Sequence, residues 1–312
     1  MLNRRFLRIK VMQALYAFFQ HEGVTPAQFE RDLFKSLDKI HELYITIFAL
    51  LGDIHHVSLV IMDENKNKRM PGEGDLNPNM RFVENWLLRS LAESEDLKKE
   101  IARHRITWQN DVDLVRKLYL DIRNSEFYKE YMLAPQGTAD VDRKFLIQII
   151  QEFLAENEVL ISYFEEKNIH WADDTFVAFN SVVRTLEECG ASFKLQPLLR
   201  DKEDDENFMS VLFNKTILYR ESLQEIIARH TDNWEMDRIA NMDMLLMQMA
   251  LAEVLYLPNI PVKASLNEYI DISKEYSSPN SKNFVNGVLD KSIGELKAAG
   301  KIQKAGRGLK ED

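Results

Sequence analysis

The stretch SSPNSKNFVNGVLDK, residues 277–291, holds the pattern from which the fold can be predicted. Ser278 followed by Pro279 is typical of a helix start, because serine caps the first turn and proline fits the first helical position. Beyond this start, one face collects the side chains expected in a core, at helical spacing: Val285, Val288, Leu289, Ser292 and Leu296. The stretch therefore predicts an α-helix over residues 279–299 with one buried face.

A second face of the same helix has a different composition. Asn280, Phe284, Gly287 and Lys291 are spaced by four, three and four residues, so they lie together beside the apolar face. An aromatic ring with an amide, a lysine and a bare glycine near a helix N-terminus can stack on a nucleobase and bind its phosphate. The alternative is a phenylalanine packed on a neighbouring helix, which the glycine allows to approach closely.

The composition extends the helical prediction to the rest of the chain. Only 11 glycines and 8 prolines occur in 312 residues, which argues against a loop-rich β protein. No stretch alternates polar and apolar residues with the period of a strand. We predict an all-α protein with a loop at 63–80, a break at 201–206 and a frayed tail from residue 301. The predicted helices are 3–20, 27–62, 80–103, 108–131, 141–167, 173–188, 207–230, 235–256, 262–276 and 279–299.

The most apolar window, LYITIFALLGDIHHVSLVIM at residues 43–62, raises the question of a membrane span. Asp53, His55 and His56 interrupt its centre, where they would be costly in a bilayer. We therefore predict a buried helix of a soluble protein, with no membrane partner. The single cysteine, Cys189, allows no disulfide within the chain, and a reducing cytoplasm is the simplest location.

The charge pattern points to one local anion site on an acidic protein. The formal net charge is −10, which disfavours broad nucleic-acid binding. Residues 1–20 nevertheless contain Arg4, Arg5, Arg8 and Lys10 and no acidic residue. Arg4 and Arg8 are one helical turn apart, and the guanidinium fork suits phosphate. The alternative is an ordinary solvated basic helix start.

Two segments resemble the NusB family of bacterial transcription antitermination factors. The first is IPVKASLNEYIDISKEYSSPNSKNFVNGVLDK, residues 260–291. Within it, Asn267-Glu268 is similar to the family's asparagine–glutamate pair, and FVNGVLD, from Phe284, is similar to its last-helix motif. The second is QALYAF, Gln13–Phe18, which is similar to the family's first helix. The resemblance implies an all-helical fold of two helical subdomains.

The resemblance also implies a domain layout. Residues 1–20 and 207–304 would form the NusB-like core. Residues 21–205 are far more than an ordinary family member accommodates at that point, so we predict that they are mostly a lineage-specific helical insertion. Residues 305–312 would form a flexible basic tail.

The function implied by the resemblance is binding of boxA-type RNA, jointly with the ribosomal protein NusE, in a transcription elongation complex. By position, the RNA contacts would come from the first and last helices: Arg4, Arg5, Arg8, Asn280, Phe284 and Lys291. The contacts to the ribosomal protein would be Tyr16, Asp237 and Asp243. Asn280 stands where the family often has an acidic residue, which should reduce repulsion of phosphate.

No motif of a catalytic or cofactor site occurs in the sequence. It contains no glycine-rich phosphate loop, no GxSxG and no HExxH. The adjacent His55 and His56 would make a poor chelate, and His104, between Arg103 and Arg105, fits a solvated basic spot. We therefore expect no enzyme activity, no cofactor and no metal. Two alternatives stay open: a protein-interaction scaffold whose RNA binding is lost or masked by the insertion, and an enzyme hidden in residues 80–200.

Overall fold

The computed structural model describes residues 2–21, 23–134, 138–190, 192–231 and 239–309. These residues form helices, turns and loops and contain no β-strand, which confirms the all-α prediction. Short 3-10 turns occur at Gln109–Asp111, Ile169–Trp171 and Gly306–Leu309, and a π-helical segment at Ile149–Leu154. The α-helices are α1 Arg4–Gln20, α2 Pro26–Asn67, α3 Glu73–Leu76, α4 Trp86–Glu93, α5 Glu95–His104, α6 Val112–Asn124, α7 Glu126–Leu133, α8 Ala139–Gln148, α9 Glu158–Lys167, α10 Thr175–Glu187, α11 Lys202–Leu218, α12 Arg220–Ala228, α13 Asn241–Tyr256, α14 Val262–Tyr276 and α15 Ser281–Ala298.

The chain divides into two compact units. The central unit is Leu37–Leu198, and the terminal unit combines Leu2–Ser36 with Leu199–Asp312. Residues 21–36, which the sequence analysis assigned to the insertion, thus belong to the terminal unit. The assignment of a NusB-like core and an insertion stays a prediction.

Helix α13 is the centre of the terminal unit. Its sequence is apolar on every side, which is typical of a helix surrounded by others. Accordingly α1, α11, α12, α14 and α15 all pack against it. Its buried side chains include Leu246, Met247 and Met249 on different faces, and also two carboxylates, Asp243 and Glu253. A charge in such a position must have partners within the protein.

Helix α15 begins at Ser281, so the predicted start at Ser278 and Pro279 was wrong. The backbone N–H of Ser281 donates to the Ser278 carbonyl at 2.9 Å, which forms a turn ahead of the helix. The Ser281 hydroxyl also donates to Asp243 at 2.7 Å. That long-range contact, which local spacing does not reveal, fixes the first turn. The predicted core face is confirmed, since all five of its side chains are buried.

The segment that follows α15 packs against the α13–α14 loop. Lys304 Nζ donates to the Leu257 carbonyl at 3.1 Å, and the Ala305 N–H donates to the Pro258 carbonyl at 3.0 Å. A Cβ on Gly308 would lie 1.9 Å from the Pro258 oxygen, so only glycine allows this approach. The expected fraying was therefore wrong for residues 304–309.

The central unit forms around the apolar part of α2. By length and composition α2 could cross a membrane, but 61% of its most apolar 18-residue window is buried inside the protein. This agrees with the prediction of a buried helix at residues 43–62. The predicted helices 80–103 and 108–131 are each broken once, because the hydroxyls of Ser94 and Ser125 cap new helices at α5 and α7. The predicted loop at 63–80 contains the end of α2 and the short α3.

Candidate nucleic-acid and partner interface

Helix α1 presents its three arginines to acidic neighbours within the terminal unit. The side chain of Asn3 accepts the Phe6 N–H at 2.9 Å and so caps the helix. Leu7, Val11 and Leu15 are fully buried, which fixes the rotation of the helix on α11 and α13. The arginines at its start must therefore lie on or beside the buried face.

Arg8 is inside the protein. It is 3% exposed and donates to both oxygens of Glu253, at 2.6 and 2.8 Å. Glu253 also accepts the hydroxyls of Ser265 at 2.7 Å and Tyr269 at 3.0 Å. Burial by itself would lower the pKa of Arg8, but the Glu253 carboxylate outweighs it and holds that pKa above its ordinary value. A guanidinium in this position cannot reach a phosphate at the surface, which argues against Arg8 as an RNA contact.

Arg4 and Arg5 lie at the surface, each between two carboxylates. Arg5 donates to Glu268 at 2.9 and 3.2 Å and to Asp271 at 2.9 Å. Its hydrogen bond to Glu268 raises the pKa of Arg5 above its ordinary value. Arg4 donates to Asp204 at 2.6 Å and stands over the Phe208 ring at 4.8 Å. An incoming phosphate would therefore compete with carboxylates for both guanidinium groups.

Three of the four residues on the second face of α15 are exposed. Asn280, Gly287 and Lys291 are exposed, and Phe284 is half-buried at the edge of the core face. A Cβ placed on Gly287 would meet no described atom within 4 Å. Close packing of another helix of the described chain therefore does not explain this glycine. The described chain therefore leaves open space at Gly287.

Helix α14 connects these two regions. Arg5 pairs with Asp271 on α14, and α14 ends just before its C-cap Ser277, where the turn that leads into α15 begins. Six residues of helix span about 9 Å. Arg5 thus contacts the half of α14 that leads toward α15.

Sequence comparisons point to one family. The NusB family model matches residues 180–293. Over 103 residues, this chain is 45% identical to the transcription antitermination protein NusB of Chloroherpeton thalassium. The aligned residues are 33% of this chain and 49% of the relative. The NusB of Salinibacter ruber is 45% identical over 103 residues, 64% of its length. The NusB of Alkaliphilus oremlandii is 35% identical over 92 residues, 67% of its length. The chain belongs to the NusB family.

This NusB family member is an enlarged form. The same 103 residues are 33% of this chain and 64% of the Salinibacter relative, so this chain is about twice as long. The aligned residues span about half of the length of the Chloroherpeton relative and just under two thirds of the length of the Salinibacter relative. No solved structure matches the chain. Helix α1 lies outside the range matched by the family model, although it packs on α11, α13 and α14, which lie within it.

The three partner residues predicted for this NusB protein have different positions. Tyr16 is 39% exposed on α1, as a docking residue must be. Asp243 is buried and accepts the hydroxyls of Ser277 and Ser281, so it holds the start of α15 and does not face a partner. Asp237 lies outside the described residues.

Sequence reasoning missed the acceptor group of Arg8. Glu253, Ser265 and Tyr269 are distant from Arg8 in the chain, and no motif joins them. One signal was available: Glu253 stands in the otherwise apolar run MLLMQMALAEVLY, where a carboxylate requires a buried partner.

Proposed function

We propose that this protein is a non-enzymatic transcription antitermination factor that acts in the cytoplasm. In this proposal it binds boxA-type RNA jointly with the ribosomal protein NusE and acts within the transcription elongation complex. The observation that supports it best is the exposure of Asn280, Gly287 and Lys291 on one face of α15, with open space at Gly287. The names of the relatives, all transcription antitermination proteins, point in the same direction.

RNA recognition would begin at α15. Phe284 would stack on a base, while Asn280 and Lys291 would bind the adjacent backbone. A stacked base contributes roughly 1–3 kcal/mol. The helix N-terminus adds a favourable site for a phosphate. These terms are too small for tight binding by this face alone.

Arg4 and Arg5 would add phosphate contacts by exchanging partners. Surface ion pairs contribute about 0–1 kcal/mol each, so a phosphate can replace a carboxylate at little cost. The displaced carboxylates of Glu268 and Asp271 would then repel the RNA. We therefore expect weak binding by the protein alone and stronger binding when NusE, docked near Tyr16, contributes further contacts.

The test is fluorescence anisotropy of a labelled boxA-type RNA, with and without NusE. The variant Phe284→Ala should weaken binding about 5- to 150-fold, which corresponds to the loss of one stacked base. Phe176→Ala is the matched control, because Phe176 is 75% exposed but lies in the central unit. Arg5→Ala should make the dependence of affinity on salt shallower. Arg116→Ala, which removes a surface arginine paired with Glu64, should not.

The outcomes separate the proposal from its failure. The proposal is supported if NusE strengthens RNA binding and Phe284→Ala weakens it. An absence of RNA binding even with NusE, or equal binding by the Phe284→Ala and Phe176→Ala variants, would overturn the site.

A second candidate function is favoured by the carboxylate pairing of all three arginines. A scaffold would bind NusE through the Tyr16 surface without gaining RNA affinity. The double variant Glu268→Gln/Asp271→Asn distinguishes the two functions, because it frees Arg5 from both acceptors. An RNA-binding factor should then bind RNA more tightly without NusE, whereas a scaffold should show no RNA affinity in either form.

A further inference from the structure

A cluster of two histidines and a carboxylate lies in the central unit. Glu100 and His104 are one turn apart on α5 and so share a face, and His41 faces them from α2. One nitrogen or oxygen of each side chain lies within 4.8 Å of the other two. The prediction that His104 is a solvated basic residue was wrong. His104 is the last residue of α5, and its side chain is only 15% exposed.

The distances suit a single small cation. His104 Nε2 is 3.5 Å from Glu100 Oε2, and His41 Nδ1 is 3.9 Å from the same oxygen. Tetrahedral Zn²⁺ takes nitrogen and oxygen ligands at about 2.0–2.2 Å, which places neighbouring ligand atoms roughly 3.4 Å apart. The Glu100–His104 pair already has this separation. His41 is 3.9 Å from Glu100 and within 4.8 Å of His104, so binding would draw it closer to both.

One ligand atom of this cluster needs a partner. His104 Nε2 is buried and makes no hydrogen bond to any described residue, including the nearby Glu100. A buried polar nitrogen without a partner is costly, and such atoms are few in folded proteins. A cation between the three side chains would satisfy it.

One nearby charge competes with a cation. Arg103 pairs with Glu100 at 3.3 Å, but its side chain is 68% exposed. Exposed ion pairs of this kind are weak, so Arg103 can turn into solvent when a cation binds. The second Glu100 oxygen also stays available to accept from it.

We propose that His41, Glu100 and His104 bind one Zn²⁺ ion, with a water molecule as fourth ligand. Two imidazoles with one carboxylate are a ligand set that zinc accepts readily. The ion would join α5 to α2 and so stabilise the central unit. This proposal does not depend on RNA binding, which we assign to the terminal unit.

The test uses the full chain without an affinity tag, stripped of metal with a chelator and titrated with ZnCl₂ in a calorimeter. We expect one ion per chain. His41→Gln and His104→Gln should each weaken binding at least about 100-fold, since even loss of a group that only orients a ligand costs 10- to 100-fold. His56→Gln is the matched control, because His56 is exposed on α2 and belongs to no described three-residue cluster.

A second measurement keeps the proposal testable if a variant fails to fold. X-ray absorption of the zinc-loaded wild-type chain should show two imidazoles and oxygen ligands around the metal. Absence of saturable binding, weak binding at many sites, or affinity equal in the wild type and the two histidine variants would overturn the site. A zinc environment without imidazole would overturn it as well.

Discussion

Replacement of Gly287 by alanine should stabilise the protein. The residue lies inside α15, and a Cβ there meets no described atom within 4 Å. An alanine in a helix interior is favoured over glycine by about 0.5–1 kcal/mol, and here no clash offsets the gain. For a unit of this size the melting temperature should rise by roughly 2–4 °C per kcal/mol, that is by about 1–4 °C. Differential scanning calorimetry measures this shift, and Gly294→Ala, also exposed and open on α15, should show the same gain.

RNA binding should separate these two positions when each carries a larger side chain. A side chain at position 287 would push an approaching RNA backbone away from Phe284, whereas position 294 lies about two turns further along the helix. We expect Gly287→Leu to weaken RNA binding about 10-fold or more and Gly294→Leu to leave it unchanged, measured by anisotropy with NusE present. Destabilisation by Gly287→Ala would show that this glycine packs closely against the chain. Equal RNA affinity of the two leucine variants would refute an RNA contact at this face.

Three further predictions concern the terminal unit. Glu253→Gln should destabilise the fold by about 3–5 kcal/mol in urea denaturation, because it leaves Arg8 charged and buried; a loss below about 1 kcal/mol would contradict this. Gly308→Ala should destabilise by about 1–3 kcal/mol and speed amide exchange of the Ala305 N–H, because its methyl group would collide with Pro258; unchanged exchange would contradict it. Burial lowers the pKa of Lys304 to about 8, so between pH 8 and its unfolded value of about 10.5 the unfolded chain binds more protons. The free energy of unfolding in urea should therefore rise with pH in that window. It should rise less steeply in Lys304→Met, which lacks the titrating group.

The fold class and the buried faces could be predicted from the sequence because they depend on local periodicity. The core face of α15 and the burial of residues 43–62 both follow from apolar spacing alone. Helix ends were harder to predict. Ser94 and Ser125 cap new helices inside segments whose apolar spacing runs on, and the start of α15 depends on Asp243, 38 residues away in the chain.

The sequence could place the candidate site residues on helix faces, but it could not show which distant residues contact them. On α15, Asn280, Gly287 and Lys291 are exposed, and no described atom lies within 4 Å of a Cβ placed on Gly287. The α1 arginines were grouped correctly on one helix, but their surroundings could not be seen. The carboxylates that pair with them come from α11, α13 and α14, and only the packing of these helices brings them together.

The buried position of Arg8 gives it a positioning role in the proposed site. A buried ion pair adds little net stability, but it fixes how one helix is rotated against another. Around the helix axis, at about 100° per residue, Arg4 lies roughly 40° to one side of Arg8 and Arg5 roughly 60° to the other side. Both side chains are therefore partly exposed. Tyr16 lies within about 20° of Arg5 and about 16 Å further along α1. The Arg8–Glu253 pair therefore turns one edge of α1 outward, with the proposed phosphate contact of Arg5 near its start and the proposed partner contact of Tyr16 near its end, as the proposed joint binding of RNA and NusE would require.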